Sequence, residues 1–195
     1  MRSPILATVL IVSLATAACS SNANTTASTE SKSTDATDAA IASEISVATD
    51  IEGVKTFSPL VQKHVDTPVS YPQSPPVGGS HDSKWQNCGV YDTPVKNENA
   101  VHSMEHGAVW LTYRPDLPAD QVATVRAFAR NRTHVLVSPF EGLKEPVVAN
   151  AWGKQLRLDS VTDARLAAFV DEYEQGPQTP ELGVTCGGAI GSPIE

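Results

Sequence analysis

Three of the chain's five histidines, His81, His102 and His106, fall within one short stretch. His102 and His106 are four positions apart, so one turn of helix would aim both imidazoles at a common point, and His81 would add a third nitrogen from the loop before them. Three imidazoles with an open fourth position suit Zn²⁺ or copper. Met104 offers a soft sulfur that favours Cu(I), but in a helix it points away from His102 and joins only where the backbone is turned or extended. Glu105 can orient an imidazole from behind. His64 and His134 read as ordinary surface or strand-end residues. The competing reading makes His102 and His106 helix-end side chains satisfied by backbone or carboxylate partners, and His81 a loop donor.

Other chemistries fit less well. His102-Ser103-Met104-Glu105-His106 matches H-x-x-E-H, in which two histidines bind zinc and the glutamate is the general base. The long helix that carries that motif cannot continue through Gly107 and the β-branched run behind it. Cys88 is a poor blue-copper thiolate, because such a site needs a histidine shortly after the cysteine and the next one, His102, comes much later. There is no G-x-S-x-G elbow and no phosphate-cradling glycine loop. With 22 acidic and 14 basic residues the net charge is −8, and no Lys/Arg stripe is present, so nucleic acid is excluded as a partner. A binding protein is favoured over an enzyme.

The N-terminus carries an address. Arg2, an apolar run from Ile5 to Leu14 and the small residues before Cys19 have the layout of a secretory signal over residues 1–18, with an apolar run too short to span a bilayer. Ala17-Ala18-Cys19 is similar to a lipobox, in which Cys19 becomes the diacylated first residue of the mature chain, although Thr16 replaces the usual aliphatic residue. The alternative is plain cleavage near Ala18. Residues 20–50 hold 13 Ser or Thr and no aromatic residue, which makes residues 19–50 a disordered, lipid-anchored tether. Once Cys19 carries lipid, Cys88 and Cys186 remain as one pair in an oxidising compartment, and a disulfide between them follows.

Residues 51–195 read as a single globular α+β domain: a small mixed or antiparallel sheet with two main helices packed on it, after a long irregular N-terminal loop segment. Strands are expected at Val54–Phe57, at the end of Trp85–Tyr91, and at Ala108–Tyr113, His134–Ser138, Val147–Trp152 and Gln155–Leu158. A short helix fits Asn97–Met104. Longer helices fit Pro118–Asn131 and Asp163–Gln175, the latter capped by Ser160 or Thr162 and stopped by Gly176-Pro177. Consecutive prolines and Gly78-Gly79 would hold His81 in a fixed, sharply turned loop.

Pro75-Pro76-Val77-Gly78-Gly79-Ser80-His81, Cys88-Gly89-Val90-Tyr91, Pro94-Val95, Glu98 and Val101-His102-Ser103-Met104-Glu105-His106-Gly107-Ala108-Val109-Trp110-Leu111 occur in order. Together they resemble an exported bacterial family filed as a domain of unknown function, number three-one-zero-five in that series, over about Phe57 to Glu174. The resemblance implies a secreted or lipid-anchored domain typical of actinobacteria, without established activity, and its association with copper-handling exported proteins points to copper. The family pattern carries over to His81, His102, Glu105 and His106, whereas many relatives have Leu where this chain has Met104. The expectation is a lipoprotein on the outer face of the cell membrane that binds copper, or else zinc, through His81, His102 and His106, for storage, delivery or protection, with metal-handling envelope proteins as partners. The alternatives are a non-catalytic envelope scaffold and a zinc-dependent hydrolase.

Overall fold

The computed structural model describes residues 51–195, together with the backbone of residues 43–45. In chain order the strands are β1 (Ser43–Ile45), β2 (Lys55–Ser58), β3 (Gly89–Val90), β4 (Val109–Tyr113), β5 (Val135–Pro139), β6 (Val147–Ala151) and β7 (Lys154–Leu158). The helices are α1 (Asn97–Glu105), α2 (Ala119–Arg126) and α3 (Ala164–Tyr173), with a 3-10 turn over Ala127–Ala129. The expected signal segment and the lipid site at Cys19 lie outside the described residues, as does most of the expected tether. Ser43–Ile45 carries the sheet into that tether stretch by antiparallel pairing with β2. Such an edge strand is held by backbone hydrogen bonds, so the scarcity of large side chains there does not prevent it. No helix among the described residues is long and apolar enough to cross a membrane.

One mixed sheet runs in the order β1-β2-β7-β6-β4-β5-β3. β4 pairs parallel with β5, α2 making the crossover between them, and antiparallel with β6. All five residues of β4 are buried, and their alternation assigns the two faces of the sheet. Val109, Leu111 and Tyr113 point into a cluster with Val125 of α2 and Leu166, Phe169 and Val170 of α3. Trp110 points the other way, into a cluster with Ala100, Val101 and Met104 of α1 and with Leu136, Tyr91 and Trp152. The α+β class and the mixed sheet agree with the sequence reading. The short helix expected over Asn97–Met104 is α1, and it covers the face opposite the two longer helices.

The helix boundaries differ in detail. The helix expected over Pro118–Asn131 ends at Arg126 and tightens into the 3-10 turn, consistent with the weak, partly buried face of Val122, Phe128 and Ala129. The cap of α3 is Asp163, whose carboxylate accepts from Arg165 N at 2.9 Å. Ser160 and Thr162 bond each other instead.

Buried polar groups tie the site face to the sheet. Trp110 Nε1 donates to Ser138 Oγ at 3.0 Å. Gln155 Nε2 donates to Asn150 Oδ1 at 2.9 Å and to the Pro75 carbonyl at 3.0 Å, which anchors the proline-rich loop on β7. The Cys88 and Cys186 sulfurs are 1.98 Å apart. This disulfide fastens the C-terminal tail beside β3, where Cys88 N also donates to the Cys186 carbonyl at 2.8 Å.

Candidate metal centre

Helix α1 is short because its C-terminus is set by a Schellman motif. Gly107, at φ +98°, donates to the Met104 carbonyl at 3.0 Å, and Ala108 N donates to the Ser103 carbonyl at 2.9 Å. His106 is therefore the C-cap residue, just before the chain enters β4, and His102 lies one turn earlier. The helix ends where Gly107 was expected to end it, too soon for the long helix of an H-x-x-E-H peptidase. A Cβ at position 107 would meet Gln175 Cα at 3.1 Å in a backbone region that L-residues avoid. Gly107→Ala is expected to lower stability by about 1–3 kcal/mol in urea unfolding.

His81 reaches the same place from the turned loop. Its N–H donates to the Lys63 carbonyl at 2.9 Å and its own carbonyl accepts from Val65 N at 2.7 Å, a parallel bridge that brings His64 alongside His81. The ring centroids of His64 and His102 are 4.8 Å apart and stacked, and those of His81 and His102 are also 4.8 Å apart. One imidazole or carboxylate atom from each of His64, His81, His102 and Glu105 lies within 4.8 Å of the others. A second group under the same limit joins His102 with His106 and Glu181. Of the three histidines proposed from sequence, His81 and His102 thus fall in one group and His102 and His106 in the other.

Backbone carbonyls fix the tautomers. His81 Nδ1 donates to the Gly79 carbonyl at 2.8 Å, His102 Nδ1 to the Asp82 carbonyl at 2.7 Å, and His106 Nδ1 to the Thr185 carbonyl at 2.9 Å. A carbonyl only accepts, so each Nδ1 carries the proton and each neutral ring presents Nε2 as a lone pair. His81 is fully buried, and its Nε2 lies 2.9 Å from Glu105 Oε2 yet has no hydrogen-bond partner; with Nδ1 donating to Gly79, a bare Nε2 would set two acceptors against each other. A cation between them, either a proton or a metal ion, removes that conflict.

Burial is the main reason that the pKa of His102 falls to about 4, with the neighbouring histidines His81, His106 and His64 adding to the effect against the Asp82 hydrogen bond. At Glu105 burial is the largest single influence and pushes the carboxyl up, but the contact with His81 and the fields of His81, His102 and His64 together leave it below its ordinary value. His102 is thus neutral and Glu105 anionic at neutral pH.

Met104 is fully buried in the apolar cluster with Trp110 and Trp152. With α1 helical there, that packing follows from its place on the opposite side of the helix from His102, as the spacing predicts. His134 donates or accepts among Val184, Thr133 and Gln175 and belongs to neither group. His64 and Glu181 were missed. His64 lies well before His81, in a segment without a periodic pattern, and only the backbone bridge unites them. Glu181 arrives from the tail, where its N–H donates to the Glu105 carbonyl at 3.0 Å.

The fold and this cluster define an α+β domain with histidine and carboxylate side chains gathered on one face of its sheet. The chain belongs to the family described as Protein of unknown function (DUF3105), whose model matches residues 62–188. That span contains every member of both groups and both half-cystines. No curated protein and no solved structure matches the chain.

Proposed function

We propose that this is an exported, membrane-anchored protein that holds one divalent transition-metal ion through His64, His81, His102 and Glu105, for storage, delivery or protection. The observation that carries the reading is the orphaned Nε2 of fully buried His81, facing the Glu105 carboxylate. A proton would answer that one contact. A metal ion would answer it and also use the Nε2 of His102 and the ring of His64, whose ligand atoms share the same small volume. The carbonyls of Gly79 and Asp82 would then serve as the partners that orient a metal-bound imidazole.

The donors are imidazole and carboxylate, with the Met104 sulfur turned into the core. Such a set suits Cu²⁺ and Zn²⁺ better than Cu(I), and Cu²⁺ binds the tighter of the two by the usual order for divalent ions. A hydrolase is the weaker reading, because α1 ends at Glu105, too soon for the long helix that carries an H-x-x-E-H site. Anchoring through Cys19 and partnership with envelope metal carriers belong to the same proposal.

The test is titration of the purified chain with Cu²⁺ and Zn²⁺, beside His81→Gln and Glu105→Gln variants shown to be folded by circular dichroism. One equivalent is expected to bind and to raise the unfolding midpoint, by about 2.7 kcal/mol of stability at a free ion concentration a hundredfold above Kd. Each variant is expected to bind at least about tenfold more weakly. No binding, or equal binding by the parent and both variants, would leave a scaffold whose histidines only hydrogen-bond.

A further inference from the structure

The proposed ion position leaves His106 and Glu181 unused, yet they are prepared in the same way. With Nδ1 of His106 committed to Thr185, its Nε2 faces Glu181 Oε2 at 3.3 Å. His106 is only 2% exposed, whereas Glu181 is 46% exposed on the tail. His102 belongs to both groups. Because its Nδ1 is held by Asp82, it has one lone pair to give and cannot ligate two ions at once.

We infer that the two groups are alternative positions for a single ion, with His102 as the shared ligand across which the ion is passed from the four-ligand to the three-ligand position. The inference rests on the metal-binding reading and assigns it to delivery. In the inner position the ion has His64, His81, His102 and Glu105. In the outer position it keeps His102, gains the Nε2 of His106 and a Glu181 oxygen, and takes one water to complete four-fold coordination. The bonds to His64, His81 and Glu105 break as the two protein bonds and the water bond form. The metal keeps its oxidation state throughout, so ligand exchange alone is required.

Ligand number sets the direction. His64, His81, His102 and Glu105 offer four ligand atoms, which fill a four-fold site, so an acceptor cannot bind the ion there without displacing one of them. His64, with its side chain 52% exposed, is the ligand that closes that position. In the outer position three protein ligands, one of them the 46% exposed Glu181, leave one coordination place for an acceptor. The tail that carries Glu181 is tied to the end of α1 by the bond from Glu181 N to the Glu105 carbonyl, which keeps the two positions in register.

The experiment loads the full chain with Cu²⁺, counts the ions bound, and follows their loss to excess chelator by stopped flow, using quenching of tryptophan emission. Trp85 lies 4.7 Å from His106 and 5.6 Å from His102, and so reports on that side of the cluster. One ion per chain is expected. Glu181→Gln and His106→Gln are expected to slow release at least about tenfold, and His64→Gln to speed it. Glu181→Gln changes only a half-exposed side chain, so it tests the inference even if His106→Gln fails to fold. Two ions per chain, or release from Glu181→Gln at the parent's rate, overturns the shared position while leaving metal binding in place. A chain that binds no ion overturns both.

Discussion

Replacing Cys88 and Cys186 together by serine is expected to lower stability by about 4–5 kcal/mol, because the bond joins half-cystines separated by 98 positions and its loss frees that much of the unfolded ensemble. Urea unfolding of the double variant against the parent measures the effect. The bond also bears on the candidate site. Residues just before Cys186 supply both the Thr185 carbonyl that holds His106 and the Glu181 carboxylate that faces it. The tail has other attachments, Glu181 N to the Glu105 carbonyl at 3.0 Å and His134 Nε2 to the Val184 carbonyl at 2.9 Å before the half-cystine, and Ala189 N to Asn87 Oδ1 at 2.8 Å and Ile194 N to the Val90 carbonyl at 2.8 Å beyond it, so losing the bond loosens this segment without releasing it. Loss of the disulfide should therefore disturb His106 and Glu181 while sparing His81, whose supports are Lys63, Val65 and Gly79. In the double variant, slower chelator-driven release with ion binding retained would fit that division. Unchanged release would show that the bond acts through the unfolded chain alone.

The contrast between the two ends of the cluster follows how each part is written in the chain. β4 could be read because Val109 to Tyr113 is a continuous β-branched and aromatic run, and burial on both faces requires just that. The end of α1 could be read because Gly107 is the residue a left-handed C′ position calls for. His102 and His106 share a helical turn, so their proximity is local. His81 could be suspected because prolines and glycines fix its loop.

What unites His64 with His81 is a pair of backbone hydrogen bonds between irregular segments, which leave no trace in residue type. Glu181 depends on a disulfide-fastened tail that follows α3, far from His106 along the chain, a long-range contact without local periodicity. Met104 could be read from helix phase. Its chemistry suits copper, but its place on α1 is on the face that meets Trp110 in the core. Residue type announces what a side chain can do, whereas the helix phase decides which way it points.

Acid should destabilise the metal-free protein in a window that belongs to His102. Its pKa is about 4 in the fold and near 6.5 in the unfolded chain. Between those values the unfolded state takes up a proton that the native state refuses, so stability falls as pH drops from about 6.5 to 4 and is fully present above that window. The difference corresponds to about 3 kcal/mol. Glu105 acts lower on the scale. Its carboxyl is held below its ordinary value, so its contribution is present above the unfolded carboxylate range and is lost as pH falls through its own folded pKa. Unfolding midpoints at pH 7, 5.5 and 4.5, with chelator present, are expected to fall steeply for the parent and less for His102→Gln, which cannot take up that proton. Equal slopes for the two proteins would mean that His102 titrates in the fold as it does in the open chain. The same burial that produces this acid sensitivity keeps the Nε2 lone pair of His102 unprotonated at pH values where an exposed histidine is already charged. A cation arriving at the cluster in mildly acidic surroundings therefore finds this nitrogen free, and His102 is the one side chain that both groups share.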